Sequence, residues 1–90
     1  MIYILDCGSS KTKFIHQMVD EYIECRTVPF FDFIFEEAKD VKGIVISGAP
    51  ILVTEENMDP YIESSQWIKT TNIPILGICF GHQLIGIQFG

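Results

Sequence analysis

Three short runs of this 90-residue chain are apolar without interruption: Ile2-Tyr3-Ile4-Leu5, Ile44-Val45-Ile46 and Ile73-Pro74-Ile75-Leu76. A strand with one wet face alternates apolar and polar residues. An unbroken run belongs to a strand covered on both faces, as in a parallel sheet. The stretch ECRTVPF (24–30) is a fourth, weaker strand signal. Between the runs the period changes. Phe14, Ile15, Met18, Val19 and Tyr22 recur at the spacing of one helical face. Ser9 or Ser10 is placed to cap that helix, and Gly8 to make the tight turn before it. Asp59-Pro60 sets an N-cap residue before a proline suited to the first helical position, opening a helix that runs to about Thr71. FDFIFEEAKD (31–40) reads as a shorter helix, and the residues after Cys79 as a last one.

Strand and helix therefore alternate four times. With right-handed crossovers this predicts an α/β, doubly wound parallel sheet of flavodoxin-like order. The first strand is central, the second and third flank it, and the fourth lies beside the third. Ligands of such sheets sit beyond the carboxyl ends of the strands. Three stretches fall there: Asp6–Ser10, Ser47–Glu56 and Cys79–Gly81.

Composition changes this picture little. The chain is 48% hydrophobic, enough for one core, and carries a formal net charge of -6. An acidic surface argues against nonspecific binding to nucleic acid or to an anionic membrane. No apolar run approaches the roughly 20 residues that span a bilayer. The start, MIYILDCG, lacks the basic region of a signal peptide and reads as a strand. Cys7, Cys25 and Cys79 are odd in number and show no C-x-x-C spacing. A reduced, cytoplasmic protein with no metal site and no cofactor is the simplest expectation.

The chemistry concentrates in ILGICFGHQLIG (75–86). A lone cysteine is usually a small buried hydrophobe. Here Gly77 and Gly81 frame Cys79 between a strand and a helix, the arrangement of a nucleophile elbow. At a helix N-terminus the dipole and free N–H groups favour thiolate, and the Phe80 N–H points where an oxyanion forms. In VISGAPILVTEEN (45–57), Gly48-Ala49-Pro50 turns the chain after a buried strand, with Gly48 able to take positive φ. Such a turn either aims a second N–H at the site or is an ordinary loop. Two histidines are available as a base. His16 lies within the first helix, away from the strand ends. His82 follows Cys79 by one helical turn but lies along the helix wall. The pairs Glu36/Glu37 and Glu55/Glu56 read as solvated faces.

Together these stretches resemble a family, the class I (triad) glutamine amidotransferases. PILGICFGHQL looks like its G-x-C-x-G-x-Q elbow, and SGAP is similar to its S-G-G-P or S-G-S-P turn. ILDCGSS and TEEN resemble the GMP synthetase branch. The resemblance implies that Cys79 attacks the side-chain amide of glutamine, forming a glutamyl thioester and releasing ammonia for an acceptor synthetase domain or subunit. It implies an oxyanion hole from the backbone N–H groups of Ala49 and Phe80, and substrate-binding positions at Gly48 and Gln83. His82 occupies a variable position of the motif. Ala49 stands where the family has a second glycine or a serine, which preserves the donor if the position does not need positive φ. The family's base belongs to an H-x-E triplet downstream of the elbow, and none occurs here. Residues 1–90 thus look like the N-terminal half of an amidotransferase domain, inactive alone. A non-catalytic relative used for binding or regulation, or a cysteine hydrolase of another class, is the alternative.

Overall fold

The computed structural model describes residues 1–90. Its sheet has four strands: β1 (Ile2–Asp6), β2 (Cys25–Pro29), β3 (Gly43–Ile46) and β4 (Ile75–Gly77). They lie in the order β2-β1-β3-β4, and every pair is parallel. This is the flavodoxin-like order expected from the alternation of apolar runs with helical patterns. Helices α1 (Thr12–Asp20), α2 (Asp59–Ser64) and α3 (Phe80–Gln88) connect or follow the strands.

Strand residues alternate between two faces. Tyr3, Leu5, Ile44 and Ile46 share one of them. Leu5, Ile44 and Ile46 meet Phe30, Phe33, Trp67, Ile68, Phe80 and Leu84 in one buried cluster, and Tyr3 packs at its border. Ile4 and Val45 point the other way and are also buried. Helix α1 covers that second face, since His16 bonds Thr27, which pairs with Ile4 in the register. Both faces of β1 are thus covered, and Val45 is buried on the second face of β3, as unbroken apolar runs require.

The helical expectations are corrected at several points. Residues 31–40 form two separate 3₁₀ turns, Phe30–Asp32 and Phe35–Glu37, not one helix. Phe33 and Ile34 between them are extended. The extended step lets Phe33 and Phe35 both reach Trp67, one edge-on at 5.6 Å and one stacked at 5.2 Å. Such aromatic pairs add about 0.5–1.5 kcal/mol beyond their burial, more than a short helix of aromatic residues offers. The helix at Asp59 has Met58 and not Asp59 as its cap residue, stops at Ser64 and resumes as a 3₁₀ turn, Gln66–Lys69. At the break the buried Ser65 hydroxyl donates to the Tyr61 carbonyl, and Gln66 and Gln88 both donate to the Ile62 carbonyl. These side chains supply partners that a continuous helix would have supplied.

In α1 the cap residue is Lys11, with no side-chain cap of its own. Ser9 Oγ accepts the Lys11 N–H just before the helix. Of the five apolar residues read as its buried stripe, Phe14, Met18 and Tyr22 are exposed, while Ile15 and Val19 are half-buried. The stripe is wider than the contact that α1 makes with β1 and β2. No helix is long and apolar enough to cross a membrane.

Candidate active site

Cys79 caps α3 with φ 50 and ψ -109. An L-residue with a side chain rarely holds positive φ, and such strain is kept only where the surroundings enforce it. Here the enforcement is visible. The Ile78 N–H still donates to the Ile46 carbonyl at 2.9 Å, so β4 keeps its pairing up to the residue before the turn. The Gly81 N–H returns to the Ile78 carbonyl, also at 2.9 Å, which starts the helix at once. The first turn of α3 lies against the strands so closely that Gly77 and Gly81 have no room for a side chain. A Cβ on Gly81 would overlap the Ile46 carbonyl, and one on Gly77 would stand 2.6 Å from the Gly81 and His82 backbone. The turn leaves the Cys79 side chain exposed.

Cys79 opens into a cleft of about 360 Å³ lined by Gly8, Ser9, Ser10, Gly48, Ala49 and Pro50. The β1–α1 turn forms one wall. Asp6 Oδ1 accepts the Gly8 N–H at 2.8 Å and the Thr12 hydroxyl at 3.1 Å, which pins that turn. Gly8 takes φ +104, as the tight turn requires, and backs onto the Pro50 ring. The turn after β3 forms the other wall. Buried Ser47 holds it, with Oγ accepting the Cys7 N–H at 2.8 Å and donating to the Gly48 carbonyl at 2.9 Å.

Gly48 does not take positive φ, contrary to expectation; neither does Ala49. What marks Gly48 is proximity, for a Cβ there would lie 3.6 Å from Cys79 Cβ. The Ala49 side chain costs no backbone strain. Neither the Ala49 nor the Phe80 backbone N–H donates to another protein group. Phe80 is buried edge-on against Tyr61 at 5.0 Å. Burial pushes the Tyr61 hydroxyl up, with the Cys7 and Glu56 charges adding to it.

Gln83 is exposed on α3, and its N–H donates to the Cys79 carbonyl at 3.1 Å. His82 is exposed and makes no hydrogen bond to the thiol. His16 is on α1, where its Nδ1 meets Thr27 Oγ1 at 2.8 Å. Neither histidine therefore hydrogen-bonds Cys79. A larger cleft, about 460 Å³, lies between α1 and β2 and includes Asp6, His16 and Thr27 but not Cys79.

The other two thiols are shifted upwards. Burial raises Cys7 from 9.0 to about 12, with a Ser47 hydrogen bond partly opposing and the Asp6 charge adding. Burial, then the Asp20 charge, also pushes Cys25 up. Two features escape sequence reasoning. Ser47 looks like the end of a strand, yet it ties the Cys7 and Gly48 backbones together. The expectation of no metal-ligating group rests on local spacing. In the fold His16, Asp20 and Cys25 bring their ligand atoms within 4.8 Å of one another. The i,i+4 spacing of His16 and Asp20 is the one sequence signal for it.

Residues 3–90 match the family described as glutamine amidotransferase class-I. The chain is 41% identical over 91 residues to a GMP synthase (glutamine-hydrolyzing) from Nitratiruptor sp., covering 99% of this chain and 17% of that protein. It is 37% identical over 98 residues to one from Dictyostelium discoideum, of which it covers 14%. The chain thus spans a small fraction of the length of these relatives. Its fold matches the crystal structure of a GMP synthase subunit from Thermoplasma acidophilum with a TM-score of 0.82 at 34% identity, covering 99% of this chain and 44% of that one. With the elbow, the turn after β3 and the sheet order in one frame, the chain belongs to the class-I glutamine amidotransferase family.

Proposed function

We propose that residues 1–90 form the nucleophile half of a glutaminase site. The observation that carries this reading is the exposed Cys79 at φ 50, beside a cleft and near two backbone N–H groups without protein acceptors. The Cys79 thiolate attacks the amide carbon of glutamine. The Ala49 and Phe80 N–H groups receive the oxyanion; one such donor is typically worth about 10²–10³ in rate. As the C–N bond breaks, the departing amide nitrogen takes a proton from a general acid and leaves as ammonia, and water then hydrolyses the glutamyl thioester to glutamate and free thiol. Gly48 and Gln83 border the substrate. The ammonia passes to an acceptor synthetase; the naming of the relatives as GMP synthases supports one of that type in the cytoplasm.

The acid–base group comes from outside residues 1–90, because neither histidine bonds the thiol. A positioned acid–base contributes about 10²–10⁴-fold, so the chain alone turns over poorly. The test has two arms. An electrophilic glutamine analogue is expected to label Cys79 well ahead of Cys7 and Cys25, whose thiols are pushed up. A segment carrying H-x-E, supplied in trans or by fusion, is expected to give ammonia release that Cys79→Ala abolishes. Equal labelling of all three cysteines would overturn the elbow. Full turnover by the chain alone would overturn the missing base and point to His82.

A further inference from the structure

We propose that His16, Asp20 and Cys25 form a binding site for a zinc-class divalent ion that clips the end of α1 to the start of β2. The site is built by the fold. His16 and Asp20 are one helical turn apart on α1, so their side chains share a face. The chain then reverses through residues 21–24 and enters β2 at Cys25. Strand β2 runs beside α1, which brings the thiol back to the same helix turn.

The geometry is already close to coordination. Cys25 Sγ is 3.6 Å from His16 Nδ1. With Zn–S near 2.3 Å and Zn–N near 2.0–2.1 Å, a tetrahedral centre separates sulfur and nitrogen by about 3.6 Å. The separation of that pair therefore matches one edge of the tetrahedron. The Asp20 carboxylate is exposed at the helix end and within 4.8 Å of both partners.

The donor set selects the ion. Thiolate and imidazole favour zinc-class metals over magnesium or calcium, which take oxygen ligands. One thiolate and one carboxylate neutralise a divalent charge. Binding at Nδ1 takes the place of the His16–Thr27 hydrogen bond. The cluster sits at the amino end of β2, whereas Cys79 lies beyond the carboxyl end of β4, so the two sites share no residue.

The test uses the reduced 90-residue chain and the metal alone. Zn²⁺ is titrated against a chromophoric chelator, and Co²⁺ serves as the spectroscopic probe. One ion per chain is expected, with a thiolate-to-cobalt charge-transfer band. Cys25→Ser should lose that band, and His16→Ala and Asp20→Asn should each weaken binding at least about tenfold. Cys79→Ser should leave band and affinity unchanged. A second readout needs no variant: saturating Zn²⁺ should slow alkylation of Cys25, mapped by peptide mass, at least about tenfold, and leave Cys79 alkylation as it was. No metal binding, a band that survives Cys25→Ser, or protection at Cys79 instead of Cys25 would each overturn the proposal.

Discussion

Cys7 directly follows β1, and Cys79 follows β4 by two residues, so both stand beyond carboxyl ends of the same parallel sheet. Cys7 continues its strand direction into the β1–α1 turn. Its N–H is held by Ser47, its side chain is partly buried, and its thiol is pushed up to about 12. Cys79 is thrown out of line by a positive φ and ends exposed in a cleft. The residue type is the same and the position in the fold nearly so. What separates them is the chain after each: a loop of several residues after Cys7, and a helix that begins at the next residue after Cys79. The Cys79 thiol ends exposed because two glycines let a helix start against the sheet with no connecting loop.

The strongest way to break this contrast is to remove the close approach. Gly81→Ala places a methyl group on the Ile46 carbonyl, and backbone cannot yield as a flexible side chain can. Helix α3 must then move off β3, and Phe80 and Leu84, both essentially fully buried, lose part of their packing. The expected loss is about 3 kcal/mol, the upper range for overpacking, read as a fall in the urea midpoint at constant slope. As α3 lifts, the Cys79 dihedrals relax and its lead in labelling over Cys7 should shrink. A loss under about 1 kcal/mol would mean that the elbow tolerates a loop-like entry into the helix.

A smaller effect sharpens the contrast from the Cys7 side. Its folded thiol is raised from 9.0 to about 12, so folded and unfolded chains are both protonated below pH 9. Between those values the unfolded thiol loses its proton and the folded one does not. Cys7 therefore contributes a stability that is fully present below the unfolded value and is lost as pH rises through the folded one. Cys25 and Tyr61 are raised in the same direction and act in the same alkaline range. Urea midpoints are expected to fall as pH rises from about 9 towards about 12, and to fall less in Cys7→Ala. Equal slopes in both proteins would show that the Cys7 thiol meets solvent much as Cys79 does.

The contrast also explains what can be read from the sequence. The sheet order is legible because Ile2–Leu5 and Ile44–Ile46 are apolar on both faces, a pattern that few other environments require. The elbow is legible because the turn needs glycine at both 77 and 81, and that steric demand leaves a local signature. Residues 31–40 mislead because Phe33 and Phe35 are placed by Trp67, more than thirty residues away, and local periodicity carries no trace of it. Ser47 is hidden for the same reason, since its partner Cys7 is a neighbour only across strands, and Cys25 joins the locally spaced pair His16 and Asp20 only through the fold. Gly48 differs in kind. A glycine after a buried strand suggests backbone freedom, whereas in the fold this one stands out by its distance to another side chain.

That difference leads to the smallest expected effect. Gly48 stands between the two cysteines: its carbonyl accepts from the Ser47 hydroxyl that holds Cys7, and its Cα faces Cys79. A methyl group there would lie 3.6 Å from Cys79 Cβ and 3.8 Å from the Ile78 carbonyl, both ordinary van der Waals distances. The backbone is not in the left-handed region. Gly48→Ala should therefore fold as well as the parent, or gain about 0.4–1 kcal/mol from the smaller entropy of its unfolded chain. The methyl nevertheless enters the wall of the cleft beside the thiol. Labelling of Cys79 by a small alkylating agent should change little, while labelling by a glutamine-sized analogue should slow severalfold, about 1 kcal/mol for the added methylene-sized bulk. A destabilised Gly48→Ala would restore the need for glycine's backbone freedom. Equal slowing with both reagents would mean that the methyl hinders the thiol itself and not the substrate beside it.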